Sequence, residues 1–134
     1  MSLPPVSSSV AAPFGGRVLV VDQDEELCRL IADIVGDAGH RARSTRDAEE
    51  ARDLLAAGEV DLLIVGEALV DVRELGPVRL LCRTFEVPAI VITEFGHSRP
   101  FVRAGDEVLT KPFRSGDLLA RVARLSRLPQ RVAV

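Results

Sequence analysis

Short apolar runs rich in β-branched residues alternate along the chain with segments in which apolar residues recur every three or four positions. Runs of the first kind are typical of strands buried on both faces of a parallel sheet, and the second spacing is typical of amphipathic helices. This alternation predicts five strands and about five helices in a doubly wound α/β fold, a parallel sheet covered on both faces. The predicted strands are residues 18–21, 40–43, 60–65, 88–93 and 107–110.

Capping residues indicate where the predicted helices begin and end. Acidic residues at positions 24–26 complement the dipole of the first helix, and Gly39 ends it. Ser44 or Thr45 is expected to cap the second helix, which runs to residue 57 before Gly58. A third helix is expected over residues 72–83. The last begins at a Ser115 cap and is expected to bury Leu118, Leu119, Val122 and Leu125.

Length and composition favour one globular domain. The chain has 134 residues, 47% of them hydrophobic and 28% charged, and a net charge of −3, which offers no basic field for nucleic acid. Residues 1–16 are expected to be a disordered leader, residues 17–128 the domain and residues 129–134 a flexible tail. Cys28 and Cys82 have no zinc-binding spacing, and no apolar run is long enough to span a bilayer. We therefore expect a soluble cytoplasmic protein.

Candidate chemistry lies where the predicted strands end. Functional groups of doubly wound sheets collect at the carboxyl ends of the strands, and Asp22, Gly66, Thr93 and Lys111 all fall there. No GxGxxG or Walker pattern follows a strand, so a nucleotide cofactor has no support.

Residues 104–113 read Ala-Gly-Asp-Glu-Val-Leu-Thr-Lys-Pro-Phe. With the strand-end residues, this segment resembles the receiver domain of bacterial two-component response regulators, over roughly residues 17–127. The resemblance implies a CheY-like, flavodoxin-like (βα)5 fold. In that family two acids after the first strand and an acceptor aspartate after the third bind Mg²⁺, and the acceptor receives a phosphoryl group. A threonine and a lysine contact the phosphoryl oxygens, and these match Thr93 and Lys111.

The chain departs from the family at the acceptor and at one acid. Asp22 matches the first acid, but Gln23 occupies the place of the second and Gly66 that of the acceptor. Glutamine offers only a neutral oxygen and glycine only backbone, so we expect weak or absent Mg²⁺ binding and no resident cofactor. The sequence predicts a pseudo-receiver in which conventional aspartyl phosphorylation fails.

Two alternatives to a pseudo-receiver assign phosphoryl or ligand chemistry to the residues at the strand ends. A displaced carboxylate, Glu67 or Asp24, could replace the acceptor, although alternation along the strand points Glu67 away from the residue-66 position. A flavodoxin-like domain with an unrelated small ligand at the same edge is the other alternative.

The switch region also differs from the family pattern. The position of its aromatic residue holds Val108, and the stretch between Thr93 and Lys111 is about one helical turn shorter, which predicts a shortened fourth helix. Without an acceptor, Lys111 is expected to bridge Asp22 or a backbone carbonyl. The resemblance implies a cis Lys111–Pro112 bond.

These features predict a protein interaction module in phosphorelay signalling rather than an enzyme. The expected partner is a protein, namely a signalling kinase, an effector or another regulator, and a homodimer is left open. Arginines on the last helix are expected to be a solvated face, so direct binding to nucleic acid or a membrane is not expected.

Overall fold

Five parallel strands form one sheet in the computed structural model, which describes residues 16–66, 86–94 and 106–126. The strand order is β2-β1-β3-β4-β5, and every neighbouring pair is parallel. This confirms the predicted doubly wound, CheY-like fold. The strands are Arg17–Val21 (β1), Arg41–Thr45 (β2), Leu62–Gly66 (β3), Ala89–Thr93 (β4) and Glu107–Thr110 (β5), and the described helices are Glu25–Asp37 (α1), Ala48–Ala56 (α2) and Ser115–Ser126 (α3).

The sheet separates two apolar clusters because side chains alternate between its faces. On one face, Leu19, Val21, Val65 and Val91 pack with α2. On the other, Val20, Ile64 and Ile90 pack with α1 and α3. The strands β3 and β4 are buried along their whole length, which explains their continuous apolar sequence. The core lies on both sides of these central strands.

The second strand is longer than predicted, and this moves the helix cap. Pairing with β1 continues to Val21↔Thr45, so Ser44 and Thr45 belong to β2 and the prediction that one of them caps α2 is wrong. Asp47 is the cap, because its carboxylate accepts a hydrogen bond from the Glu49 backbone N–H at 3.0 Å.

Smaller differences affect other element ends. The third strand starts later than predicted and includes Gly66. Ser115 is the first residue of α3 rather than a residue before it, and Leu119 is half-buried while the other three predicted anchors are buried. The predicted helix at 72–83 and the shortened fourth helix lie outside the described residues, as does Glu67.

Arginines of α3 cover the edge strand β5. The Arg121 Nε donates a hydrogen bond to the Val108 carbonyl oxygen at 3.0 Å. Arg124 binds both carboxylate oxygens of Glu107, at 2.8 and 2.9 Å. This face of the helix is therefore engaged with the sheet, whereas the sequence predicted a solvated face. Charge at an edge strand also opposes pairing with another chain.

The Glu107–Arg124 pair makes stability depend on pH in the acid range. Hydrogen bonds from Arg124 lower the pKa of Glu107 from its ordinary value of 4.5. Glu107 therefore binds a proton more readily in the unfolded chain than in the folded chain. The stabilisation by the Glu107–Arg124 pair is present above about pH 4.5 and is lost as the pH falls through the lower pKa of folded Glu107. Measured by urea denaturation, the free energy of unfolding of Glu107→Gln should fall less steeply with decreasing pH below about pH 4.5 than that of the wild type. The exposed Glu49→Gln variant is the control, and an unchanged slope in Glu107→Gln would contradict the assignment.

Candidate functional site at the carboxyl ends of the strands

The fold brings three of the predicted site residues to neighbouring strands. Asp22 directly follows β1, Gly66 ends β3 and Thr93 ends β4, and these three strands are adjacent in the sheet. Lys111 follows β5, and its backbone N–H donates to the Thr93 carbonyl oxygen at 2.8 Å. Parallel pairing places all four residues at one edge of the sheet, where the sequence predicted them.

The Asp22 carboxylate occupies the space above Gly66. A Cβ built on Gly66 would lie 2.9 Å from the Asp22 Cγ and still closer to its Oδ2. The other oxygen, Oδ1, accepts a hydrogen bond from the Asp24 backbone N–H at 2.9 Å. Any side chain at position 66 would therefore collide with Asp22 in this conformation. The position at which the resemblance predicts an acceptor is filled by a neighbouring carboxylate.

Asp24 caps α1 rather than facing this pocket. Its Oδ1 accepts hydrogen bonds from the backbone N–H groups of Glu26 and Leu27, at 3.0 and 3.2 Å. Because this oxygen is held at the helix N-terminus, the geometry gives Asp24 a capping role. Gln23 is exposed beside it.

Lys111 forms an ion pair with Glu94. Its Nζ lies 3.3 Å from the Glu94 Oε2, so the prediction that it bridges Asp22 or a backbone carbonyl is wrong. Glu94 follows β4, the strand next to β5, which brings it within reach, while the Asp22 carboxylate lies over Gly66. The side chains of Lys111 and Glu94 are 33% and 56% exposed, so this ion pair contributes under about 1 kcal/mol.

The remaining predicted residues lie at the end of β4, within β5 and directly after β5. Thr93 is buried, with 5% of its surface exposed. Val108 is half-buried in β5. The Lys111–Pro112 bond is cis, the isomer that the resemblance implies.

The buried thiol of Cys28 contacts the backbone of Asp22. This contact was not predicted from the sequence. The Cys28 Sγ donates to the Asp22 carbonyl oxygen at 3.4 Å, and only 2% of the residue is exposed. Burial first, and the negative charge of Asp22 second, raise the pKa of this thiol. It therefore stays protonated at neutral pH and serves as a packing group and weak donor. Its place on the first turn of α1, six residues after Asp22, is the signal that could have indicated this contact.

An open groove runs beside this edge between α1 and the start of α3. Its volume is about 560 Å³. Leu30, 55% exposed, and Leu27 and Phe113 give it an apolar surface, while Asp24, Glu94 and Lys111 line its charged part. Apolar area with a charged margin is typical of surfaces that bind other proteins.

The described residues contain neither a metal cluster nor a membrane span. No group of three or more His, Cys, Asp or Glu side chains in residues 16–66, 86–94 and 106–126 is placed to hold a metal ion. Within the same ranges, no helix has the length and apolar character needed to cross a membrane.

Sequence comparison links the chain to response regulators. No family model matches it. The protein PetR of Rhodobacter capsulatus is 30% identical over 121 residues, which is 87% of this chain and 51% of PetR. The transcriptional regulatory protein CpxR of Escherichia coli is 29% identical over 115 residues, 83% of this chain and 49% of CpxR. The chain thus spans about half the length of the curated relatives it matches.

Solved structures show the same fold. The receiver domain of a Francisella response regulator has a TM-score of 0.67 and 21% identity, covering 84% of this chain and 97% of that domain. TrrA from Thermotoga maritima, solved in complex with Mg²⁺-BeF, has a TM-score of 0.69 and 23% identity, covering 82% of this chain and 98% of TrrA. Relatives and structural neighbours together support the class of response regulator receiver domains, CheY-like in fold.

Proposed function

We propose that this chain is a pseudo-receiver, a receiver domain of two-component signalling that acts through protein contacts without being phosphorylated. The observation that carries the proposal is the Asp22 carboxylate lying over Gly66, where a side chain at the acceptor position would lie. An acceptor needs both a nucleophilic carboxylate at this position and room for the incoming phosphoryl group. Gly66 supplies no carboxylate, and Asp22 takes the room.

The surrounding charges also favour this proposal. Phosphoryl transfer relies on a metal ion and cations that stabilise charge on the transferred oxygens. Here the Lys111 ammonium contacts Glu94, and Asp24 accepts hydrogen bonds from the helix N-terminus. Gln23 replaces one expected acid with a neutral amide. We therefore expect Mg²⁺ to bind weakly or not at all, and no resident cofactor.

The groove between α1 and α3 suits a protein partner better than a small substrate. It is open, and its exposed Leu30 and half-buried Phe113 offer apolar area beside charged groups. The response regulator relatives suggest the kind of partner: a signalling kinase, an effector or another regulator. The domain then performs no chemistry of its own and serves as a binding module.

Intact-protein mass spectrometry after incubation with Mg²⁺ and acetyl phosphate tests the proposal. We expect no phosphoryl adduct on the wild type, because no acceptor carboxylate stands at position 66. A conventional receiver domain treated alongside is the positive control for the phosphodonor. The Gly66→Asp variant is the matched comparison, with its circular dichroism spectrum recorded to verify folding.

A hydroxylamine-labile phosphoryl adduct on the wild type would overturn the proposal. Peptide mapping of that adduct would then identify the carboxylate that accepts the phosphoryl group, with Glu67 the first candidate.

A further inference from the structure

A second cavity lies at the opposite end of the sheet from Asp22 and Gly66. Its volume is about 440 Å³, within the range of small-molecule sites. It covers the amino-terminal part of β1 and β2 on the face against which α2 packs. The cavity lies beside the end of α2, and Leu54 of that helix is one of its lining residues.

The floor of this cavity is apolar. Leu19 and Val60, 1% and 5% exposed, belong to the core cluster on this face, and Leu54 packs against the same cluster. An aliphatic or aromatic body can pack here chiefly against half-buried Leu54, since burial of apolar area is favourable at roughly 25 cal/mol per Å².

Three arginines on the two strands surround this floor. Arg17 and Arg41 are direct cross-strand partners, and Arg43 is the partner of Leu19. Side chains two apart on a strand share a face, so Arg41 and Arg43 lie on the same side, and both line the cavity with Arg17. Like charges directly opposite each other in a sheet are unfavourable unless counter-charges compensate them.

Two of these arginines have acidic partners within the chain. Asp61 accepts hydrogen bonds from the Arg17 Nε and Nη2 at 3.1 and 3.2 Å. The negative charge of Glu59, at the cavity margin, also stabilises the positive charge of Arg17. Arg43 pairs with Glu50 at 3.2 Å.

Arg41 is different, because among the described residues no ion pair or side-chain hydrogen bond holds it. It is exposed on the edge strand and borders the apolar floor. Its five N–H donors match the two oxygens of a carboxylate.

We propose that this cavity binds a small carboxylate with an apolar body, the carboxylate on Arg41 and the body on Leu19, Leu54 and Val60. The site lies at the amino ends of the strands, separate from the receiver pocket, so it does not depend on the function proposed above.

Titration of the ¹⁵N-labelled chain with 3-phenylpropionate, followed by NMR, tests this site. We expect shifts at the amides of Arg41, Ala42, Arg43 and Glu59 that saturate at millimolar probe. Arg41→Gln should weaken binding about 10-fold or more, because it removes a charge-assisted hydrogen bond. Arg46→Gln is the matched control: Arg46 is also an exposed arginine, but its partner is Glu25 and it does not line the cavity.

Two further probes separate the parts of the proposal. The neutral 3-phenylpropanol should bind more weakly than the carboxylate, and inorganic phosphate should bind weakly because it has no apolar body. Equal binding of the alcohol, phosphate binding as tight as that of the carboxylate, or an unaffected Arg41→Gln variant would each overturn the proposal. Absence of any shift at millimolar 3-phenylpropionate would overturn it as well.

Discussion

Replacing Ile90 with alanine should lower the free energy of unfolding by about 2–5 kcal/mol, measured by urea denaturation. Ile90 lies in the middle of the sheet, between β3 and β5, and none of its surface is exposed. Its partners across the sheet are Ile64 and Glu107, and its cluster contacts both α1 and α3. Truncation therefore leaves a cavity that parallel strands paired on both sides cannot close.

Leu30→Ala is the control for this variant because it removes a large aliphatic side chain that is 55% exposed. We expect it to cost well under 1 kcal/mol in the same assay. A loss at Ile90→Ala as small as that at Leu30→Ala would contradict the placement of β4 at the centre of the core.

Gly66→Ala should cost about 0.5–1.5 kcal/mol of stability although it adds a single methyl group. The new Cβ would take the position of the Asp22 carboxylate, which must then rotate away. Rotation breaks the hydrogen bond from the Asp24 N–H to the Asp22 Oδ1.

A double-mutant cycle with Asp22→Ala isolates this contact. In the Asp22→Ala background, the space above Gly66 is empty and Gly66→Ala should cost little. Gly36→Ala is the control for the glycine change itself. Gly36 lies in α1 with no atom within 4 Å of an added Cβ, so alanine there should be neutral or should stabilise by up to about 1 kcal/mol. An equal cost of Gly66→Ala in both backgrounds would show that Asp22 does not occupy this space.

The same contact affects any attempt to restore the acceptor. Gly66→Asp would place a second carboxylate against Asp22, so one of the two must move or bind a cation. We therefore expect that Gly66→Asp by itself leaves too little room for a phosphoryl group unless Asp22 also moves.

The periodicity of apolar residues was sufficient to predict the architecture. Runs such as residues 18–21 and 88–93 have the continuous apolar character of strands buried on both faces, and the observed sheet confirms them. Parallel order then places the residue after each strand at one edge, so Asp22, Gly66 and Thr93 could be grouped from their positions alone.

Element ends were predicted less well because local signals compete there. Ser44 and Thr45 are good capping residues, yet pairing with β1 extends the strand through them and leaves Asp47 as the cap. Local sequence does not show how far a strand continues beside its neighbour. The end of the strand decides which of several possible capping residues begins the next helix.

The order of amino acids was enough to infer the alternation of strands and helices in the described residues, the parallel sheet and the absence of a carboxylate at Gly66. The folded arrangement was needed to see that Asp22 occupies the space above Gly66, that Lys111 pairs with Glu94, and that Arg41 borders a cavity beside Leu19. The positions of strands and helices follow from which residues are buried, and the spacing of apolar residues along the chain indicates this. Side-chain direction depends on atoms from other strands and helices, which meet only when the sheet has formed.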